Sequence, residues 1–217
     1  MEKRLSIQNG EILHSINYDN VKLSEYAFVN PKTELNFKEQ SEEMSFIPME
    51  CISDIYGEVI ELRKGEKSQS HGYTKFQNED LIWARITPCM QNGKSTVVRG
   101  LRNGVGYGST EFHVLRTKKK ELIIDYLYLL LRTKAVREDA VNYFTGSAGQ
   151  QRVPKSYLEN LSIPLPPLST QDEIIKHILG NKEHNDEGLK TKIKNLRQTA
   201  EEKRKDAIRE FEKAIFE

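Results

Sequence analysis

Residues 145–178 read TGSAGQQRVPKSYLENLSIPLPPLSTQDEIIKHI, and the changes of texture within them decide the architecture. The segment 145–153 is a glycine-bearing polar loop. Pro154 suits the first turn of a short helix through Leu158, because proline there gives up an N–H that lacks a helical partner anyway. Pro164, Pro166 and Pro167 make 162–168 a stiff, extended connector. Thr170 and Glu173 then fit a capping box, in which hydroxyl and carboxylate each meet an orphan backbone N–H. The stretch predicts a junction between a loop-bearing domain and a helix.

Downstream, 171–217 contains no proline and carries 11 Lys+Arg against 11 Asp+Glu. Apolar residues recur at Leu189, Ile193, Leu196, Ala200, Ala207 or Ile208, Phe211 and Ile215, mostly in steps of three or four. GNKEHNDEG at 180–188 is a weak point able to break or bend the helix. Such a helix has no core of its own and buries its seam only on another helix. It either folds back on its own domain or meets a helix from a second chain or from a missing duplicate. The absence of a second long helix upstream favours the latter.

Upstream, 21–167 is punctuated by Gly, Pro and Asn. The runs 81–86, 95–98 and 111–115 have strand composition, and 125–132 and 134–144 have helical spacing. Between them, 63–73, 87–94 and 99–108 read as loops. The fold class is α+β: a mixed twisted sheet with short helices, then a long C-terminal helix able to form a coiled coil. The domains divide as 1–168 and 169–217.

Composition narrows the function. The chain has 217 residues, 37% hydrophobic and 30% charged, with formal net charge +1. A mean hydropathy of -0.65 leaves many residues wet. Neutral balance excludes little, since a basic face can be offset elsewhere. Cys51 and Cys89 are too far apart for a CxxC, so neither a disulfide framework nor a structural zinc site is expected, and a reducing compartment fits. No signal-peptide h-region is visible in MEKRLSIQNGEILHS, and the apolar stretch 122–131 is too short to span a bilayer. The expectation is a soluble, cytoplasmic protein without a membrane partner.

No catalytic residue and no metal ligand set is expected. The run 92–96 (NGKST) resembles a phosphate loop, but Pro88 stands where the first glycine must be. The glycine run at 104–108 precedes a β-rich segment instead of opening a helix, the wrong order for a dinucleotide fold. No Asn/Asp-Pro-Pro-aromatic tetrapeptide of base-methylating enzymes occurs. Histidines at 14, 71, 113, 177 and 184 are scattered. The candidate site is instead a set of polar loops. One supplies Arg63, Lys64, Lys67, Ser68, Gln69, His71, Tyr73 and Lys75. The next supplies Arg85, Thr87, Gln91, Asn92 and Lys94, and the third Ser147, Gln150, Gln151, Arg152 and Lys155. Arg, Gln and Asn can make bidentate contacts with base edges, while Lys and Ser suit phosphates. Solvated loops without a ligand have the same composition, and an interaction adaptor that touches no DNA is the competing class.

Four stretches carry a family resemblance: NYDNVKLSEYAFV (17–29), FQNEDLIWARITPCMQNGKSTVV (76–98), GYGSTEFHVLR (106–116) and the junction quoted first. Together they resemble the specificity subunits of type I restriction–modification systems. The resemblance implies sequence-specific recognition of double-stranded DNA without catalysis, by a target-recognition domain followed by a conserved helix. It further implies docking to methyltransferase subunits, which hold the S-adenosylmethionine, and through them to the restriction subunit; no cofactor is expected on this chain. Full-length members carry two recognition domains and two antiparallel helices, so this chain corresponds to half a subunit. It fits a natural half that homodimerises through Leu189, Ile193, Leu196, Ala200, Ile208, Phe211 and Ile215, a fragment of a longer subunit, or the specificity module of a fused methyltransferase–endonuclease. The initial Met and the tail EKRKDAIREFEKAIFE favour the first.

Overall fold

The computed structural model describes residues 7–8, 11–12, 18–35, 37, 42–147, 149–180 and 188–216. The chain divides into two compact units, Met1–Gln171 and Asp172–Glu217.

The first unit opens with the paired strands β1 (Ile7–Gln8) and β2 (Glu11–Ile12). There follow β3 (Asn20–Lys22), α1 (Leu23–Tyr26), β4 (Ala27–Val29), β5 (Glu43–Ile47), β6 (Arg63–Glu66), β7 (Thr74–Gln77), β8 (Leu81–Ala84), β9 (Ser95–Val97), β10 (Val105–Gly108) and β11 (Phe112–Thr117). Three helices, α2 (Ile124–Leu131), α3 (Lys134–Val141) and α4 (Lys155–Asn160), lead to β12 (Ser162–Pro164). One four-stranded sheet has the order β6-β5-β10-β7 and is mixed, β5 and β10 running parallel. The other, β4-β11-β8-β9, is antiparallel throughout.

Alternation along the strands places the core. Ile47, Phe76, Ile82, Phe112 and Val114, from strands of both sheets, form one buried cluster with Ile52, Val98 and Leu101. Successive side chains on a strand point to opposite faces, so His113 and Leu115 take the other face of β11, level with Trp83 and Leu81 of β8. All of β8 is enclosed, which its run Leu-Ile-Trp-Ala allows. A second cluster of Met44, Val105 and Tyr107 packs with Leu35, Phe37 and Phe46.

Several expectations need correction. The 99–108 stretch is not a loop: its second half is β10, every residue of it buried. Its glycines serve close packing, since a Cβ on Gly108 would lie 2.1 Å from the Ile47 carbonyl oxygen and one on Gly106 2.6 Å from the Phe76 ring. The 63–73 stretch begins as β6 and continues as a 3-10 turn, Lys67–Ser70, closed by Glu66 and Gln69 in a capping box. The helix expected to reach residue 144 ends at Val141, because Asn142, Tyr143 and Phe144 turn their N–H groups to carbonyls three residues back. The capping box expected at Thr170 is absent: α5 (Leu168–Leu179) starts two residues earlier, leaving Thr170 in its first turn.

The proline connector is partly a strand. Ser162–Pro164 pairs antiparallel with β3, and Ile163 is buried. Behind it, the fully buried Gln171 amide satisfies three backbone groups. Its Oε1 accepts from the Ile123 N–H (2.9 Å), and its Nε2 donates to the carbonyls of Glu121 (2.7 Å) and Pro166 (2.8 Å).

In the second unit, α5 ends at Gly180, whose φ of +94° is the left-handed C-terminal cap that glycine accepts most easily. Helix α6 (Leu189–Phe216) has 28 residues. A Cβ on Gly188 would lie 2.1 Å from the Gly180 nitrogen, so the end of α5 and the start of α6 approach where only glycine fits. The break expected at 180–188 falls mostly on 181–187, outside the described residues. Leu189, Ile193 and Leu196 are 43%, 48% and 72% exposed, and Ala200 is exposed too. The side chains of Ile208, Phe211 and Ile215 lie outside those described. No helix among the described residues is long and apolar enough to cross a membrane.

Gln171→Leu strands one buried donor and two acceptors while keeping the volume, and each orphaned group costs about 1–3 kcal/mol. Urea unfolding is expected to show a loss of at least about 2 kcal/mol, with the unfolding slope unchanged.

Candidate nucleic-acid interface

The third loop owes its position to backbone pairing. The Val153 N–H donates to the Arg85 carbonyl (2.8 Å), and the Thr87 N–H donates to the Gln151 carbonyl (3.0 Å). Arg152 bridges Ile86 on one side and Thr145 on the other. Residues 151–153 therefore pair with 85–87, the continuation of β8, and lie beside the start of 87–94.

His113 fixes this arrangement from below. It is fully buried, its Nε2 donates to the Val153 carbonyl (2.9 Å), and its Nδ1 accepts from the Asn30 side-chain amide (3.0 Å). Asn30 Oδ1 in turn accepts from the Val114 N–H (2.9 Å). Burial disfavours the charged ring and pushes its pKa down to about 4, so the neutral Nε2–H tautomer is the one these partners need.

Two arginines from the helices hold the 87–94 loop. Arg132 donates to the carbonyls of Gly93, Asp54 (3.0 Å) and Ile55 (3.2 Å), and Arg137 Nη1 donates to the Gln91 carbonyl (2.5 Å). Gln91 and Asn92 are exposed on the loop, with the Thr87 hydroxyl against Gln91 Oε1. Lys94 turns inward and donates to the Met49 carbonyl (3.1 Å).

The first loop splits in two. Arg63 pairs with Glu50 (2.9 Å) and Glu61 (3.0 Å), Lys64 with Glu43, and Lys67 with Glu42 (2.7 Å). Ser68 and His71 are exposed, and Gln69 Oε1 accepts from the Glu66 N–H. Tyr73 and Lys75 face elsewhere. They line an open groove of about 460 Å³ with Arg85, Lys32, Asn30 and the hydroxyls of Thr33, Thr74 and Thr110. Among the described residues, three cations line this groove and no carboxylate does. The Tyr73 ring, 42% exposed, rests against Phe46 (5.6 Å between centroids) and Tyr107 (5.4 Å).

Above Arg85 stands Glu111. It binds the Arg152 guanidinium at 2.7–3.0 Å and reaches Arg85 Nε only at 3.9 Å. Arg85 Nε is enclosed, with no hydrogen-bond partner among the described residues. Ser147 and Gln150 are exposed, Gln151 is half-buried, and Lys155 pairs with Glu159 (2.8 Å) on α4.

Of the sequence candidates, the structure thus brings Tyr73, Lys75 and Arg85 to one groove and sets Arg152 beside Arg85. Arg63, Lys64 and Lys67 are matched by acids, and Lys94 turns inward. Lys32, Asn30, Glu111 and the loop-holding arginines were missed. They lie outside the three loops, and no local sequence signal marked them. No group of His, Cys, Asp or Glu able to hold a metal occurs among the described residues.

The model of the type I restriction modification DNA specificity domain matches residues 16–197. The chain belongs to this family. The specificity domain resembles the specificity subunits of two Escherichia coli type I restriction enzymes. It is 42% identical to that of EcoEI over 158 residues and 43% identical to that of EcoAI over 157. The matches cover 71% and 70% of this chain but 26% of each relative. Its fold resembles the HsdS subunit of Thermoanaerobacter tengcongensis (TM-score 0.64, 19% identity, 88% of this chain and 46% of that one). It also resembles a chain from a structure of the assembly and conformational transition of the type I R-M system (TM-score 0.70, 18% identity, 93% and 49%). The specificity domain thus spans about a quarter of its curated relatives and about half of the solved chains.

The buried His113 generates a pH dependence. A ring with pKa near 6.5 unfolded and about 4 folded takes up protons on unfolding between those values, so its contribution is complete above pH 6.5 and falls as pH drops toward 4. The shift corresponds to on the order of 3 kcal/mol. Urea titrations at pH 7 and pH 4.5 are expected to differ more for the wild type than for His113→Gln.

Proposed function

We propose that this chain is a DNA-recognition half of a type I restriction–modification specificity subunit. It reads one half-site with the groove at Arg85 and the adjoining loops, and it directs a methyltransferase and, through it, a restriction subunit to the target. The observation that carries the reading is the groove lined by Lys32, Lys75 and Arg85, with no carboxylate among the described residues, in a chain of the DNA specificity family. Three cations suit phosphates, and Asn30, Tyr73 and the threonine hydroxyls suit base edges and sugars. On this reading the chain contributes no chemistry: methyl transfer, with S-adenosylmethionine, and cleavage belong to the partner subunits.

The share of each relative covered favours a second recognition half, and α6 is the element suited to recruit it. A helix of 28 residues is about 42 Å long at about 1.5 Å per residue, comparable to roughly 12 base pairs at about 3.4 Å each. Pairing of α6 with its copy through the stripe at Leu189, Ile193 and Leu196 is isologous, so the target is an interrupted palindrome. If the second half instead lies in the same polypeptide, as in a longer subunit or a fusion, the target is asymmetric.

Two experiments test this. A mobility shift on pooled duplexes with chain and methyltransferase subunit is expected to select a sequence and to weaken as salt rises. Replacing Lys32 and Lys75 by Ala together is expected to reduce the salt slope by about 2. Salt-independent binding or no selection supports the adaptor reading. For the helix, Leu196→Glu is expected to halve the molar mass in light scattering while leaving the thermal melt of the recognition unit in place. A monomeric wild type, alone and with the methyltransferase, decides for the longer-chain readings.

A further inference from the structure

We propose that Arg152 reads a guanine of the target half-site through the Nη1–Nη2 end of its guanidinium, and that Glu111 is the positioning residue that aims it. The inference rests on the recognition reading above and adds the base read, the atoms that read it and a residue that serves only to orient them.

A guanidinium has five N–H groups in one plane. Arg152 Nε and Nη2 both give to the Glu111 carboxylate, at 2.7–3.0 Å, and Nη1 gives to the Gln150 carbonyl at 2.6 Å. One N–H on each terminal nitrogen then has no partner among the described residues. We take the Gln150 bond to use the Nη1 hydrogen on the Cδ side, which leaves two N–H groups side by side at the tip of the fork to match the paired acceptors O6 and N7 that guanine alone presents in the major groove. The side chain is 31% exposed, so part of it stays open to a ligand while Nε and Nη2 are held by Glu111.

Arg85 does not meet the same conditions. Its Nε is enclosed and without a hydrogen bond among the described residues, and its nearest carboxylate oxygen is 3.9 Å away. Glu111 therefore orients one arginine firmly and the other weakly. Because one carboxylate serves two guanidiniums, the cluster keeps a net positive charge and attracts DNA. The backbone beneath Arg152 is fixed by bridges to Ile86 and Thr145. A fork held this way loses little freedom on binding, which is the condition for discrimination and not affinity alone.

The experiment uses the full chain with its methyltransferase subunit on the selected duplex. Each guanine is replaced in turn by 7-deazaguanine, which lacks the N7 acceptor. At one guanine the substitution is expected to weaken the wild type at least about fivefold and to leave Arg152→Lys, which has charge without a fork, indifferent. Glu111→Gln is expected to lose preference at that same base pair, with binding to unrelated sequences unchanged or stronger since a carboxylate has gone. The 7-deaza series needs no mutant, so it stands even if a variant folds poorly. If selective binding is present but no guanine responds, or Arg152→Lys and Glu111→Gln relax different positions, the inference is overturned and the recognition reading survives. If no duplex is selected at all, both fall.

Discussion

A polar loop can offer side chains to a ligand only if its own backbone is satisfied elsewhere. For the third loop that condition is met where 151–153 lies along 85–87 and the neutral ring of His113 holds the Val153 carbonyl from beneath. The same ring holds Asn30, which lines the groove from the opposite side. A single buried imidazole thereby ties together two segments more than a hundred residues apart in sequence. The arrangement depends on the antiparallel register of β11 against β8, which turns His113 away from the inter-sheet core.

The charge of the chain hides this interface because acids and bases are sorted by position. Around the first loop Glu42, Glu43, Glu50 and Glu61 are matched with Lys67, Lys64 and Arg63. Asp80, fully buried, is held by Arg116 at 2.7 Å. With those carboxylates occupied, the groove stays cationic in a molecule whose formal net charge is +1. Composition averages over such a separation and cannot report it.

Much of the fold was legible in the sequence. The β-rich runs at 81–86 and 95–98, the helices that became α2 and α4, and the change of character after the prolines all rest on local periodicity, which a single chain displays. The misread stretches are those where tertiary contact overrides local preference. The glycines of 104–108 suggest a loop, yet close approach of Ile47 and Phe76 makes them a strand. Within the site, loop membership was readable but partnership was not. Nothing in RKGEK announces that its cations also meet Glu42, Glu43 and Glu50, from β5 and the residues on either side of it. Nothing in GSTEF announces that Glu111 will grip an arginine 41 positions away.

The junction at Gln171 has a consequence for how the molecule answers to ionic strength. An amide bonded to three backbone groups in a buried site feels no counterion atmosphere, whereas contacts between lysines and phosphates are governed by one. Concentrated salt therefore acts on the two ends of the recognition unit unequally. On the proposed reading it strips a polyanion from the groove and leaves the Gln171 seam at the start of α5 untouched. A protein released from DNA in this way would come off with that seam closed, ready to rebind once the salt is diluted.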